Sequence, residues 1–183
     1  MAVYGTTSRQ LGEIAVACRK QASLNPDAVM RKPITIEEHQ SSRWIVKPLH
    51  LLDCCLISDG GVCVMVTSAE RAKDCKQHPV LISGMGQGYT LQNYEREDWW
   101  YVPHQKTAIN TAYEMAGLGP KDIDVAQLYD NFTMSVLLWF EHGGFCKAGE
   151  SGPFVEGGRI HLGGELPVNT AGGNLSRRAA DQK

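Results

Sequence analysis

The sequence feature that most constrains this fold is an apolar run that begins directly after a group of polar residues. Residues 125–128 are mostly apolar and predict a short buried strand, and residues 134–140 predict a helix that lies deep in a core. A phenol, a carboxylate, an amide and a hydroxyl stand between them, and they belong to Tyr129, Asp130, Asn131 and Thr133. A strand that leads into a buried helix indicates an α/β fold.

This strand-to-helix corner is the candidate functional site. The free N–H groups and the positive dipole end at a helix start favour negative charge. In open α/β sheets, ligands bind outside the carboxyl ends of the strands. Asp130 and Asn131 also have a simpler interpretation, in which one of them caps the helix that follows. The sequence leaves both interpretations open, and they do not exclude each other.

Composition and charge exclude several classes of function. The formal net charge of −2 offers no basic surface for nucleic acid and no polybasic signal for a membrane. We find no secretory signal, and no apolar stretch reaches the roughly 20 residues that span a bilayer. The six cysteines are scattered without metal-ligand spacing, which predicts reduced thiols and no metal site. We therefore expect a soluble, cytoplasmic protein.

Caps and apolar spacing predict further helices along the chain. A threonine at position 6 or 7 is expected to cap a helix that runs to about residue 22. Thr35, followed three residues later by Glu38, forms a predicted capping box for a short helix. Ser68 is expected to cap another short helix, and an amphipathic helix is predicted from about residue 104 to residue 117.

Apolar, β-branched segments predict the strands. Residues 49–57 predict a strand or an approach segment, and residues 62–67 are apolar on both faces, as a central strand would be. Residues 79–86 predict the next strand. The polar and aromatic stretch from residue 89 to residue 102 is expected to be a loop.

Glycine turns dominate the last third of the chain and offer further candidate residues. The Gly172-Gly173 pair is a candidate substrate-binding site, because backbone without a Cβ atom approaches a ligand closely. His161, between two glycine turns, is a candidate for a pocket role. Asn131 and Asn169 are candidate substrate-binding residues, and a structural hydrogen-bonding role for Asn169 in a buried loop is the alternative.

Several short motifs occur in a characteristic order along the chain. They are Tyr4-Gly5-Thr6-Thr7, Asn25-Pro26, Pro48-Leu49, Ser58-Asp59-Gly60-Gly61, Ala116-Gly117 with Asp122-Ile123-Asp124, Tyr129-Asp130-Asn131-Phe132-Thr133, Gly149-Glu150 and Asn169-Thr170-Ala171-Gly172-Gly173-Asn174-Leu175-Ser176. This ordered set resembles the thiolase superfamily, and within it the sterol-carrier-protein or lipid-transfer type of thiolase and its thiolase-like aldolase relatives. The resemblance covers the second half of such a protein.

The resemblance implies a layered helix–sheet–helix fold with a mixed five-stranded sheet. Residues 1–78 would end the N-terminal domain, residues 79–176 would form a truncated C-terminal domain, and residues 177–183 would be a tail. The family's nucleophilic cysteine belongs to the first half, which the resemblance does not cover. The chain is therefore expected to lack the nucleophile.

The resemblance also implies a chemistry and a set of partners. The substrate would be a CoA thioester with no bound cofactor, and the reaction acyl transfer or retro-aldol cleavage of a β-hydroxyacyl-CoA. Tyr129 would be the catalytic residue and Asp130 would orient it. The chain would form a homo- or hetero-oligomer with thiolase-fold chains, together with a small OB-fold partner. The alternatives are a non-catalytic binding or assembly module and a lipid-transfer protein.

Overall fold

The structure of this chain is a computed structural model that describes residues 1–58, 60–89 and 103–176. The chain divides into two compact units. Residues 1–59 and 120–183 form the unit that we call the major unit, and residues 60–119 form the minor unit.

The major unit consists mainly of helices. They are α1 (Ser8–Ser23), α2 (Ile36–Ser41), α5 (Thr133–His142), α6 (Ser151–Phe154) and α7 (Gly173–Ser176). Helix α1 is central, since it contacts α2, α5, α6 and α7. Short 3₁₀ turns at Leu51–Asp53, Pro120–Asp122 and Glu156–Gly158 connect them.

The starts of α1 and α2 confirm the helices predicted from the caps. The Thr7 side chain accepts a hydrogen bond from the backbone of Gln10, and the Gln10 side chain accepts one from the backbone of Thr7. Thr35 and Glu38 form the same reciprocal pair at the start of α2. Each box satisfies two backbone donors that a helix start leaves without an intrahelical partner.

Helix α5 lies against the core on one side only. Val136, Leu137 and Phe140 are buried, whereas Met134 at the start of the helix is 47% exposed. The prediction of a helix here is confirmed, and the expectation that the whole run lies deep in a core is wrong for Met134. The Phe140 ring lies in the core among Leu11, Ile14, Phe154, Val155 and Ile160.

Strand pairing in the described residues is sparse. Strands β1 (Trp44–Val46) and β2 (Leu49–His50) form one antiparallel hairpin. The predicted strand at residues 125–128 is reduced to a single parallel bridge between Ala126 and Val168. Within the predicted segment 49–57, only Leu49–His50 is a strand, and a 3₁₀ turn and an isolated bridge at Cys54 follow it.

The minor unit contains helices α3 (Ala69–Ala72) and α4 (Pro103–Ala116), as predicted. Its two predicted strands are not formed, because residues 62–67 and 79–86 carry no strand pairing here. Their large apolar side chains are mostly exposed, for example Val64 at 77% and Val80 at 92%. A strand exists only when a neighbouring strand takes up its N–H and C=O groups, and the minor unit supplies no such neighbour among its described residues.

One glycine-rich segment of the minor unit packs closely on α4. A Cβ atom added to any of three alternate glycines would collide with a backbone carbonyl oxygen of the helix. The pairs are Gly84 with Ala112, Gly86 with Ala108, and Gly88 with His104. Alternate residues of an extended segment therefore meet successive turns of a helix at backbone distance.

Some predictions fall outside the described residues. They are the greater part of the predicted aromatic loop at residues 89–102 and the tail at residues 177–183. Among the helices that the structure describes, none combines the length and the apolarity that a membrane-spanning segment needs.

Candidate functional site

Asp130 caps a helix, but not the helix that follows it in sequence. One oxygen of its carboxylate accepts a hydrogen bond from the Asn174 N–H at 2.8 Å, and the other accepts one from the Leu175 N–H at 3.2 Å. These N–H groups belong to the first turn of α7. The prediction that Asp130 or Asn131 caps α5 is wrong, because the N-cap of α5 is Phe132 and no side chain caps that position.

Burial and hydrogen bonding act on Asp130 in opposite directions. The residue is only 1% exposed. Burial raises the pKa of Asp130 above its ordinary 3.8, because a charged carboxylate loses its hydration, and the hydrogen bonds from Asn174 and Leu175 partly oppose that rise. The buried carboxylate thus connects the corner to the first turn of α7 through hydrogen bonds.

Asn169 holds the residue before Tyr129. Its Oδ1 accepts a hydrogen bond from the Leu128 N–H at 2.7 Å, and its Nδ2 donates to the Leu128 carbonyl at 3.0 Å. The backbone N–H of Asn169 donates to the Ala126 carbonyl at 3.0 Å. Asn169 is 2% exposed and has a φ of 50°, a left-handed conformation that asparagine tolerates better than most residues.

The segment that follows α2 and the hairpin holds the other side of the corner. The Cys55 N–H donates to the Asn131 carbonyl at 2.9 Å, and Cys54 forms an antiparallel bridge with Phe132. The Thr133 hydroxyl donates to Oδ1 of Asp53 at 2.7 Å, and both side chains are fully buried. The Asn131 side chain turns back on its own segment and accepts a hydrogen bond from the Phe132 N–H at 3.1 Å.

Tyr129 has a fixed backbone and an exposed side chain. Its carbonyl accepts a hydrogen bond from the Trp139 indole N–H at 3.1 Å, and its neighbours on both sides are held as described above. The residue itself is 60% exposed, in contrast to Asp130 beside it. The corner therefore presents an exposed phenol on a backbone that is hydrogen-bonded at Leu128 and at Tyr129 itself.

Two glycines allow close packing of the backbone at this site. Gly173 has a φ of 59°, and a Cβ atom there would collide with Oδ2 of Asp130 and lie 2.9 Å from Nδ2 of Asn169. Gly172 has a φ of 106°, and its added Cβ would lie 2.6 Å from the Cβ of Ala22 in α1. The structure thus brings Asp130, Asn169 and Gly173 together in one cluster.

His161 lies outside that set of contacts. It occupies a turn in which its N–H donates to the Gly158 carbonyl and its carbonyl accepts from the Gly164 N–H. The side chain is half-buried, and burial, followed by the positive charge of Lys20, lowers the pKa of His161. A neutral imidazole is therefore favoured at this position.

The cysteines for which a shift is resolved are unlike an activated nucleophile. Burial raises the pKa of Cys18 and Cys54, and it raises the pKa of Cys146 to about 12. A nucleophilic cysteine needs the opposite shift, since the thiolate is the reactive form. Within residues 1–58, 60–89 and 103–176, no cluster of three or more His, Cys, Asp or Glu side chains is placed to hold a metal ion.

One buried group at the corner was not predicted from the sequence. Asp53 accepts hydrogen bonds from Thr133 and His50 and lies 2.8 Å from Nε2 of His39. No local pattern links positions 39, 53 and 133, because they come from separate elements. The one sequence signal was a carboxylate inside an apolar segment, where an unpaired charge is costly.

Comparisons with known proteins identify relatives of this chain. A family model described as "Thiolase C-terminal domain-like" matches residues 86–181. Over 181 residues, covering 96% of this chain and 47% of the relative, the sequence is 46% identical to a 17-hydroxy-3-oxo-4-pregnene-20-carboxyl-CoA lyase of Mycobacterium tuberculosis. It is also 46% identical over 178 residues to a steroid side-chain-cleaving aldolase of Thermomonospora curvata, covering 94% of this chain and 46% of the relative.

The solved structure of an Ltp2-ChsH2(DUF35) aldolase is similar to most of the chain. It superposes with a TM-score of 0.89 at 42% identity. The match covers 97% of this chain and 48% of that chain. This chain therefore spans about half the length of the relatives it matches.

Proposed function

This chain belongs to the thiolase superfamily and has its α/β fold, and on that premise we propose that it supplies half of a carbon–carbon bond-cleaving enzyme. The proposed reaction is retro-aldol cleavage of a β-hydroxyacyl-CoA thioester. The observation that carries the proposal is the exposed phenol of Tyr129 on a backbone held from both sides. The names of two relatives, a lyase and an aldolase that act on steroid side chains, support this reaction class.

The chemistry needs a proton carrier and a stabilised oxygen. The substrate's β-hydroxyl loses its proton to a base, the bond between the α and β carbons breaks, and the electron pair passes to the α carbon. The thioester carbonyl takes up that charge as an enolate, and the α carbon is then protonated. The products are a carbonyl compound and a shorter acyl-CoA. A phenol suits this sequence, because it donates a hydrogen bond to a developing oxyanion or carries the proton.

The proposed roles of the residues follow their positions. Tyr129 would contact the reacting atoms, and Asp130 would orient its backbone through α7. Asn131, Gly172 and His161 remain proposed substrate-binding residues. Asn169 and Gly173 would affect substrate binding only by shaping the corner. The Asn169 amide already hydrogen-bonds Leu128, and Gly173 packs directly against Asp130. The CoA thioester would bind as substrate, with no resident cofactor.

The extended apolar segments of the minor unit support the need for a further half. We propose that residues 62–67 and 79–86 become strands of a mixed five-stranded sheet once the rest of the fold is present. Residues 1–78 would then end an N-terminal domain, and residues 79–176 would belong to a C-terminal domain. Exposed apolar surface of this extent is an aggregation liability when nothing covers it.

We also propose a hetero-oligomer in the cytoplasm. The name of the solved aldolase joins two components, which supports a hetero-oligomer. The proposed complex combines thiolase-fold chains with a small OB-fold partner that helps admit the CoA thioester. The cytoplasmic location is supported by the cysteines, since all six are free.

Light scattering followed by a cleavage assay tests the proposal. The mass of the chain is measured alone and after co-expression with thiolase-fold and OB-fold proteins encoded beside it. The complex is then given a β-hydroxyacyl-CoA without free CoA, because retro-aldol cleavage releases a carbonyl product under these conditions and thiolytic acyl transfer does not. Tyr129→Phe should lower kcat by about 10²–10⁴, whereas Tyr4→Phe, at another exposed tyrosine, should leave it unchanged.

The opposite results would identify the alternatives. A complex that assembles but cleaves no thioester, with or without free CoA, would indicate a non-catalytic assembly module. A chain that remains alone and transfers lipid between vesicles would indicate a lipid-transfer protein.

A further inference from the structure

A buried carboxylate behind the corner has no place in the chemistry proposed for Tyr129. Asp53 is 0% exposed, and three groups contact its carboxylate. Oδ1 accepts a hydrogen bond from the Thr133 hydroxyl at 2.7 Å and lies 2.8 Å from Nε2 of His39. Oδ2 accepts a hydrogen bond from the backbone N–H of His50 at 2.7 Å. His39 and Thr133 are also 0% exposed, and His50 is 1% exposed.

The orientation of His39 is determined by its neighbours. The Gln40 side-chain NH2 lies 3.0 Å from Nδ1 of His39, so Nδ1 is the acceptor and Nε2 carries the proton toward Asp53. Helix α1 approaches the ring at a glycine, since a Cβ atom on Gly12 would lie 3.0 Å from Nδ1. The imidazole therefore has little room to move, and it fixes the direction of the Asp53 carboxylate.

Helix α5 connects the Asp53 contact to the backbone of Tyr129. Thr133 is the first residue of α5, and Trp139 in the body of the same helix donates its indole N–H to the Tyr129 carbonyl. A helix moves as a stiff body over this length. A shift of its first turn away from Asp53 would therefore displace the indole and the Tyr129 backbone together.

Burying a carboxylate at this position costs free energy, and the benefit that offsets this cost is the directionality of its hydrogen bonds. A buried ionic cluster commonly adds less stability than apolar side chains of equal volume. Hydrogen bonds, however, fix the position of donor and acceptor in a way that apolar contacts do not. We propose that Asp53 is a positioning residue: with His39 behind it, it holds the start of α5 through Thr133 and so fixes the backbone that presents Tyr129.

The catalytic consequence of this inference depends on the function proposed above, but its structural core is tested without activity. The exchange of the Trp139 indole proton with water, measured by NMR on the chain as it exists, reports opening of the Trp139–Tyr129 hydrogen bond. The signal is assigned with Trp139→Phe. Thr133→Val keeps the shape of the side chain and removes the donor to Asp53, and Thr133→Ser keeps the hydroxyl.

Thr133→Val should increase the exchange rate of this proton by about ten-fold, the effect of losing one buried hydrogen bond. Thr133→Ser should retain most of the protection. Ile160→Val, a substitution in the apolar core cluster rather than at a contact of Asp53, controls for general loss of stability. Equal exchange in the wild type and Thr133→Val, or an equal increase in Ile160→Val, would overturn the proposal.

Asp53→Asn provides a second variant, and it should accelerate the same exchange as Thr133→Val does. In the active complex, Thr133→Val should lower kcat with little change in KM, because it misplaces the phenol rather than the substrate. Faster exchange in a complex that has no activity at all would contradict the proposed function and leave the positioning role standing. Normal activity with unchanged exchange would overturn the positioning role alone.

Discussion

The side chain of Asn169 hydrogen-bonds both backbone polar groups of Leu128, accepting from its N–H at 2.7 Å and donating to its carbonyl at 3.0 Å. One side-chain amide thus supplies Leu128 with the acceptor and the donor that a neighbouring strand would supply. Asn169 directly follows Val168 of the parallel bridge, and Leu128 lies two residues after Ala126, so the amide continues the pairing beyond the bridge. Tyr129 follows Leu128, so the presentation of the phenol begins with this amide.

We expect Asn169→Asp to lower the free energy of unfolding by about 2 kcal/mol. The aspartate retains an acceptor for the Leu128 N–H, but it replaces the donor to the Leu128 carbonyl with a second oxygen. Urea denaturation of both proteins measures the difference. Asn131→Asp is the matched control, since the Asn131 oxygen only accepts a hydrogen bond and its replacement should change stability little. Equal losses in the two variants would contradict the role assigned to Asn169.

Gly173→Ala should destabilise the protein far more than a comparable glycine substitution does. Gly173 and Gly157 both have φ near 60–70°, so alanine is strained at either position. At Gly157 no atom lies within 4 Å of the added Cβ, whereas at Gly173 it meets the Asp130 carboxylate. We expect a loss of about 1 kcal/mol at Gly157 and about 3 kcal/mol more at Gly173. Similar midpoints of thermal unfolding for the two variants would show that the approach of Gly173 to Asp130 does not matter.

The contribution of Asp130 to the free energy of unfolding should decrease as pH rises, as its burial predicts. Because the folded-state pKa of Asp130 is raised, the folded protein holds the proton more tightly than the unfolded chain does. The contribution is fully present below the ordinary value of 3.8 and is lost as pH rises through the raised pKa. The difference in unfolding free energy between the wild type and Asp130→Asn, measured from pH 3 to pH 7 (about the range that separates these states), should therefore fall with rising pH.

The control for that pH series is Asp27→Asn, at an exposed carboxylate. It shows how much of any change comes from replacing a carboxylate with an amide in general, rather than from replacing this buried one. A difference for Asp130→Asn that rises with pH would mean that the hydrogen bonds from α7 outweigh burial at this carboxylate.

Gly86→Ala should loosen α4 within the minor unit. The added Cβ would collide with the Ala108 carbonyl oxygen in the middle of α4, and the rigid helix backbone has no room to yield. Hydrogen–deuterium exchange of the α4 amides should rise, while that of the α1 amides should not. Gly61→Ala, where nothing lies within 4 Å of the added Cβ, should leave both unchanged. Unaltered α4 exchange in Gly86→Ala would contradict the close packing.

Local signals in the sequence were enough for helices α1 to α5, whereas the short helices α6 and α7 were not predicted. The threonine cap of α1, the capping box at Thr35, the Ser68 cap and the apolar run of α5 each involve residues a few positions apart, and the structure has a helix at each of them. The order of short motifs was also enough for the thiolase superfamily. The strands at residues 62–67 and 79–86 did not form, because a strand needs a partner from elsewhere and the propensity of the segment does not supply one.

The sequence by itself determined helices α1 to α5 and the polar composition of the corner at Tyr129-Asp130-Asn131, which depend on residues near one another in the chain, and the order of its short motifs determined the family. Only the tertiary structure decided what those residues do. It placed Asp130 on the first turn of α7, 44 positions away, Asn169 on Leu128, 41 positions away, and Asp53 on Thr133, 80 positions away. A hydrogen bond acts over about 3 Å in space and carries no signature in the spacing of the chain, so these pairings arise only when the separate elements pack together.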